Sequence, residues 1–443
     1  MSSRLEEQPA SVLKEAKQAG EVRARWAWVE PSVWTERMLT ALEEGVKGGI
    51  WYSLIDKVHS SGNLYASYAK VAANRGSAGV DHVTVEDFTR KLSRNLEKLA
   101  TQLHDETYSP QAVRRVNIPK PGTKETRPLG IPTVRDRVVQ GALRHVLEPI
   151  FEQQFADHSY GFRPDRGCKD ALRRVDRLLK SGHQYVVDVD LKSYFDTIPH
   201  NKLLSEVSNY VADNRVLGLI EAFLKANILD GLETWTPESG APQGAVLSPL
   251  LSNLYLNELD HLMAARGYEM TRYADDLVIQ CRSRDEAERA LAVVKKWTTE
   301  RGLTLHPTKT KIVDVMHESF DFLGYRFVKH RRYPRNKSMA KFREVIRRKT
   351  PRTSGRSLNR IIADVNRTTR GWFEYFKHSH KTVFPSVDGW VRMRLRSTLR
   401  KRAGGRGRGR GADHHRWTNA FFAKQGLFSL QTAYAEACQS SRR

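Results

Sequence analysis

Arg272-Tyr273-Ala274-Asp275-Asp276-Leu277-Val278-Ile279 sets two adjacent acids between two strand-like runs, which puts the pair at a hairpin tip. Carboxylates beside buried apolar strands are costly unless a cation compensates them. Alone, an Asp-Asp pair is an ordinary turn feature. About 85 residues upstream, however, Tyr185-Val186-Val187-Asp188-Val189-Asp190 is a β-branched run that also ends in an acid, with Asp188 and Asp190 on one strand face. Two strands that each deliver a carboxylate to one spot make a site of hard oxygen ligands suited to Mg²⁺. Two such ions roughly 4 Å apart clamp the attacking and leaving oxygens of an in-line phosphoryl transfer. Asp190, Asp275 and Asp276 are therefore the candidate catalytic residues.

The chain around this pair alternates helix and strand patterns. Residues 113–132 predict two strands flanking a basic hairpin punctuated by Pro and Gly, and helical periodicity follows at 134–155 and 167–181. A helix from about 200, a Gly/Pro turn at 239–244 and a long helix at about 246–265 lead into the strand pair at 268–282. A helix over 285–301 and strands at 311–316 and 321–328 close a mixed α/β region. Residues 1–60 read as helical, anchored by Trp26, Trp28 and Trp34. Beyond 330 the pattern changes to basic amphipathic helices at about 339–349, 357–377 and 386–401. The low-complexity GGRGRGRG (404–411) is expected to be flexible, and 416–437 to add a last helix.

Charge singles out the same C-terminal region. Of the 443 residues, 326–410 carry 27 Lys and Arg against 4 Asp and Glu, whereas 1–325 are balanced at 43 against 44. A block this basic is the footprint of a polyanion-binding surface, nucleic acid above all. Its aromatic residues, Trp372, Phe373, Tyr375, Phe376 and Trp390, argue that it folds. No run of about 18 apolar residues is present, so no membrane partner is expected. The first residues, MSSRLEEQPASVLKEAKQ, lack a signal-peptide pattern. Cys168, Cys281 and Cys438 are scattered, which fits a reducing compartment and neither a zinc site nor a disulfide framework. The expected location is the cytoplasm.

Several segments in order carry a family resemblance: NRGSAGVD (74–81), IPKPGTKETRPLGIPTVRDRVVQ (118–140), SYGFRP (159–164), VVDVDLKSYFDTIPH (186–200), GAPQGAVLSPLLSNLYLNELD (240–260), RYADDLVI (272–279) and FDFLGYRF (320–327). The chain resembles a reverse transcriptase, and within that class a bacterial group II intron-encoded reverse transcriptase/maturase, over about residues 50–400. The resemblance implies a right-hand polymerase: α/β fingers and palm with an antiparallel palm sheet, followed by an all-α thumb, or maturase domain X. The expected divisions are an N-terminal helical extension (1–60), fingers and palm (61–330), thumb (331–402), and a Gly/Arg-rich linker with a short DNA- or RNA-binding unit (403–443).

The resemblance also implies roles for individual residues. Asp190 and Asp275 would bind two Mg²⁺ ions, for which Mn²⁺ can substitute, with the Leu191 carbonyl nearby and Asp276 in support. Phe195 would be the steric gate against ribonucleotides, with a core role as its plain alternative. Gln243 and Gly244 would touch the incoming dNTP and the templating pair. Lys120 and Arg127 would hold the triphosphate, although either could meet template phosphate and Lys124 competes with Lys120. Tyr273 and Arg272 would support primer and template. Arg347, Arg348, Lys349, Arg360, Arg367 and Arg370 would bind intron RNA or the template–primer duplex, while the aromatics of 371–376 pack as core. Asp196 is placed as a helix cap and His200 as structural. The implied activity is RNA-directed DNA synthesis at a DNA target (target-primed reverse transcription), combined with maturase binding that helps the intron RNA splice. No HNH nuclease is expected, since the last 40 or so residues hold one Cys and the pair His414-His415. A reverse transcriptase adopted for defence or repair, and an RNA-binding splicing factor without polymerase activity, are the competing readings.

Overall fold

A computed structural model describes residues 22–46, 49–119 and 126–440. The chain divides into two compact units, the first comprising 1–175, 189–279 and 285–311, the second 176–188, 280–284 and 312–443. The strands after 318 fall in the second unit with the C-terminal helices.

The first unit is built around the helix Val134–Glu152, which is buried along almost its whole length. Thr133 caps it by accepting from the Asp136 amide, and Asp136 in turn accepts from the Tyr108 hydroxyl at 2.6 Å. The helix Ser61–Asn74 lies against it: Ser67 donates to the Val138 carbonyl and Asn63 to that of Ala142. The N-terminal segment is tied into the same unit, since the Trp34 indole donates to the His145 carbonyl and the Asp213 carboxylate accepts from the Leu54 and Ile55 amides. Strands β1 (Val113–Pro119) and β2 (Thr126–Ile131) form the expected basic hairpin, antiparallel with Ile118 opposite Arg127. With β4 (Ile228–Asp230) and β5 (Glu233–Trp235) they make a sheet of order β2-β1-β4-β5.

A second four-stranded sheet has the order β6-β7-β3-β8, from Glu269–Tyr273, Asp276–Cys281, Tyr185–Asp190 and Lys311–Asp314. Its strands end in the acids of the two motifs. The helix Ser248–Ala265, opened by Pro249, is buried all round yet carries Asn253, Asn257 and Asp260 on one face. Those three polar groups matter below.

The second unit holds the antiparallel meander β9 (Ser319–Phe322), β10 (Tyr325–Val328) and β11 (Arg331–Pro334). Three long helices follow, Asn336–Lys349, Leu358–Phe376 and Val383–Arg402. Phe342, Ile346, Ile361, Val365, Phe373 and Leu395 form its core, which also takes in Trp417, Phe422 and Leu430 from the last segment. The short terminal unit expected at 403–443 thus shares one core with the preceding helices. It contains three helices, Ala412–Arg416, Asn419–Lys424 and Leu430–Ser440. The Gly/Arg segment is laced onto the helix before it instead of hanging free. The Arg400 Nε donates to the Arg406 carbonyl at 2.8 Å, and the Gly409 amide donates to the Ser397 hydroxyl. Among the described residues, no helix is long and apolar enough to cross a membrane.

Candidate active site

The turn between β6 and β7 consists of Ala274 and Asp275, and Ala274 has φ +57°. A non-glycine residue holds that conformation only where its surroundings over-determine it, and here they do. Arg272, fully buried, forks onto the Asp260 carboxylate through Nε at 2.9 Å and through Nη2, while Nη1 donates to Asn253 Oδ1 at 2.8 Å and to the Ala274 carbonyl at 3.1 Å. The SYGFRP loop clamps the other side. The Tyr160 amide donates to the Arg272 carbonyl, and a Cβ placed on Gly161 would lie 2.2 Å from the Ala274 amide nitrogen. Only glycine permits that approach.

Arg272, for which the resemblance implied a primer or template role, is fully buried with its donors spent on protein groups. A guanidinium with no exposed surface and its donors aimed at Asp260, Asn253 and Ala274 is a brace for the Ala274–Asp275 turn. Sequence reading passed over its partners. Asn253, Asn257 and Asp260 recur at helical i, i+4, i+7 spacing in an otherwise apolar helix, a signal that was legible. Asn253 donates to the Gly161 carbonyl at 2.7 Å, and Asn257 holds Gln154 and Ala156.

Asp190 stands half-buried at the end of β3. Its carbonyl accepts from the His306 amide at 2.7 Å, and its carboxylate lies 3.4 Å from Lys309 Nζ. Leu191, buried, bridges to Leu305. Asp275 is half-buried as well, and burial pushes its carboxyl above the usual carboxylate range; the Arg127 guanidinium opposes that rise and the Asp190 charge adds to it. Asp275 thus lies within electrostatic reach of both Asp190 and Arg127. That donor set fits a hard divalent cation: carboxylate oxygens under electrostatic stress, which a cation would relieve. Among the described residues, no three His, Cys, Asp or Glu side chains converge into a closed cage. A Mg²⁺ site here would be of the open kind, with two carboxylates completed by carbonyl, water and phosphate oxygens. Asp276 opens β7, half-buried beside Asp275.

The Gln243-Gly244 turn lies against strand β2. Gly244 has φ +112°, and a Cβ there would meet the Gly130 carbonyl oxygen at 2.5 Å. The Gly130 amide donates to the Gln243 carbonyl at 2.7 Å, which joins this turn to the basic hairpin. Phe195 is half-buried, and its carbonyl accepts from the Ala241 amide at 2.7 Å. Phe195, Gln243, Pro242, Trp235, Asp196 and Arg115 line a cleft of about 590 Å³. Lys120 and Lys124 lie outside the described residues; Arg127, opposite Ile118, is exposed. The Tyr273 hydroxyl is engaged with the Cys168 thiol, and that hydrogen bond together with burial pushes it up to about 12. Asp196 is not the cap expected of it. It lies inside the short helix Tyr194–Thr197, and Pro199 stands at the cap of His200–Ser208. His200 is structural, donating from Nε2 to the Gly240 carbonyl at 2.7 Å.

In the second unit, Arg347, Arg348, Arg360, Arg367 and Arg370 are exposed. Arg347 lies 5.9 Å from the Trp390 ring, Arg370 lies 4.5 Å from that of Phe428, and Arg367 pairs with Asp364 three residues earlier. Lys349 is committed to the Asp364 carbonyl at 3.0 Å. Trp372, Phe373 and Phe376 pack in or against the helical core, with Trp372 4.9 Å from Phe342. His414 and His415 are exposed on the short helix Ala412–Arg416.

Residues 118–327 match the reverse transcriptase (RNA-dependent DNA polymerase) family, and residues 339–417 match the group II intron maturase-specific domain. The chain is 40% identical over 198 residues to the group II intron-encoded protein LtrA of Lactococcus lactis, covering 44% of this chain and 32% of that protein. It is 31% identical over 347 residues to protein YkfC of Escherichia coli, covering 70% of this chain and 87% of that one. It is 26% identical to a putative COX1/OXI3 intron 1 protein of Saccharomyces cerevisiae, covering 78% of this chain and 48% of that one. The chain thus spans about a third of the LtrA sequence that it matches.

Proposed function

From the premise that the chain belongs to the group II intron-encoded reverse transcriptase/maturase family, we propose that it copies RNA into DNA and binds intron RNA as a maturase. The observation that supports the polymerase reading is the Asp190–Asp275 pair: Asp190 half-buried at the end of β3, and Asp275 half-buried in the β6–β7 turn within electrostatic reach of Asp190 and Arg127. Divalent cations, Mg²⁺ on this reading, would there activate a primer 3′-hydroxyl and offset charge on the triphosphate. The protein's own groups do the positioning. Arg127 holds the triphosphate by charge-assisted hydrogen bonds. The Gly244 backbone approaches the incoming base pair where no side chain would fit, and Phe195 lies under the sugar. Tyr273, oriented through Cys168, supports the primer end. The arginines of 347–370 meet phosphates of intron RNA or duplex, contacts that give affinity and little sequence discrimination. Target DNA would supply the primer in target-primed synthesis.

Primer extension on an RNA template with dNTPs and Mg²⁺ tests the reading. The wild type should extend and Asp275→Asn should not. No synthesis by RNA-loaded wild type would favour a splicing factor without polymerase activity. The gate assignment has its own expected result. Phe195→Ala should raise ribonucleotide incorporation relative to dNTP at least tenfold, since packing against one added group is worth about 1–3 kcal/mol. An unchanged ratio would return Phe195 to the core.

A further inference from the structure

Phe162 has φ +58° and exposes 46% of its surface. Both features are unfavourable for a bulky aromatic residue: the left-handed backbone suits glycine or asparagine, and the ring gains nothing in water. The residues on either side of it are fixed. Gly161 abuts the Ala274 amide, and its carbonyl accepts from Asn253 at 2.7 Å. Arg163 is buried, with Nε 3.0 Å from both Glu152 oxygens and Nη1 donating to the carbonyls of Ala156 and Ser159. The loop thus holds an exposed ring in a strained conformation, one residue from the turn that carries Asp275. Strain kept in place by buried anchors at an active site points to a role in binding.

We propose that Phe162 is a nucleic-acid contact whose ring packs on the sugar and base of the primer-terminal nucleotide and seats the 3′ end against the Ala274–Asp275 turn. The inference rests on the polymerase reading, since a primer end must reach the Asp190–Asp275 pair. Gly161 touches the first residue of that turn, so on this proposal the nucleotide nearest the Phe162 ring is the last one of the primer. An aromatic face suits this contact because every nucleotide offers a flat base and an apolar sugar edge, so the grip holds for any sequence being copied.

The test uses the full chain and an RNA template–DNA primer duplex with 2-aminopurine at the primer 3′ end, without dNTP. Phe162→Asn keeps a residue at ease in the left-handed region while removing the ring. The wild type should change the terminal 2-aminopurine fluorescence, and Phe162→Asn should abolish that change and weaken duplex binding about tenfold. Phe162→Tyr should restore both. The melting temperature of Phe162→Asn should equal or exceed that of the wild type, which separates loss of a contact from loss of fold. Unaltered terminal fluorescence and affinity in Phe162→Asn, with the wild type still extending primers, would overturn the proposal alone. Failure of the wild type to extend any primer would overturn the polymerase reading beneath it.

Discussion

Asp275→Asn should lose DNA synthesis by about a thousandfold or more while melting, in the absence of divalent ions, no lower than the wild type. A carboxylate that holds a catalytic cation supplies several kcal/mol of transition-state stabilisation, and about 4 kcal/mol corresponds to a thousandfold in rate. The stability half of the expectation follows from the direction of the Asp275 shift. Burial, with the Asp190 charge adding to it, raises its pKa in the folded protein. The folded state then binds this proton more tightly than the unfolded state. Stability from this group is greatest below the ordinary carboxylate pKa and falls as pH rises through the raised one. At neutral pH the ionised Asp275 therefore opposes folding, and asparagine removes the penalty. Added Mg²⁺ should raise the melting temperature of the wild type and leave the variant unmoved. Synthesis within tenfold of wild type in Asp275→Asn would displace the metal site from this residue.

Most of what positions the site was legible. The Asp-Asp hairpin, the strand ending at Asp190, the basic hairpin and the helices Val134–Glu152 and Ser248–Ala265 all follow from local period and turn residues. What local pattern cannot carry is the partner of a side chain. Arg272 beside the acids looks like a primer contact when only its charge is read. Its burial depends on Asp260, twelve residues away on another element. Asp196 resembles a cap before a helix, yet the chain makes a short extra turn at Tyr194–Thr197 that carries it past that place. The Gly/Arg segment reads as flexible by composition, because composition does not register that its backbone can bond to a preceding helix. Gly409 lies so close to that helix that a Cβ would sit 2.8 Å from Arg396 Cβ. These failures share one cause: tertiary partners chosen outside the local window.

Breaking the Arg272–Asp260 pair should be the most destabilising single change in the first unit. Both side chains have no exposed surface, so Arg272→Met leaves a buried carboxylate with no counter-charge, at a cost of about 3–5 kcal/mol. For a chain of this size that corresponds to a fall of roughly 3–5 °C in melting temperature. Lysine at 272 should not rescue it, because a single ammonium cannot reproduce the fork onto Asp260 together with the bonds to Asn253 and Ala274. The double variant Arg272→Met with Asp260→Leu separates the two jobs of the pair. Replacing both charges with apolar groups removes the desolvation penalty, so most of the melting temperature should return. Synthesis should not return with it. The Ala274 carbonyl loses its donor in that variant, and the Ala274–Asp275 turn, with Ala274 at φ +57°, loses one of the anchors that hold its strain. Recovery of both stability and synthesis in the double variant would mean that the SYGFRP loop alone fixes the turn, and that Arg272 only neutralises Asp260.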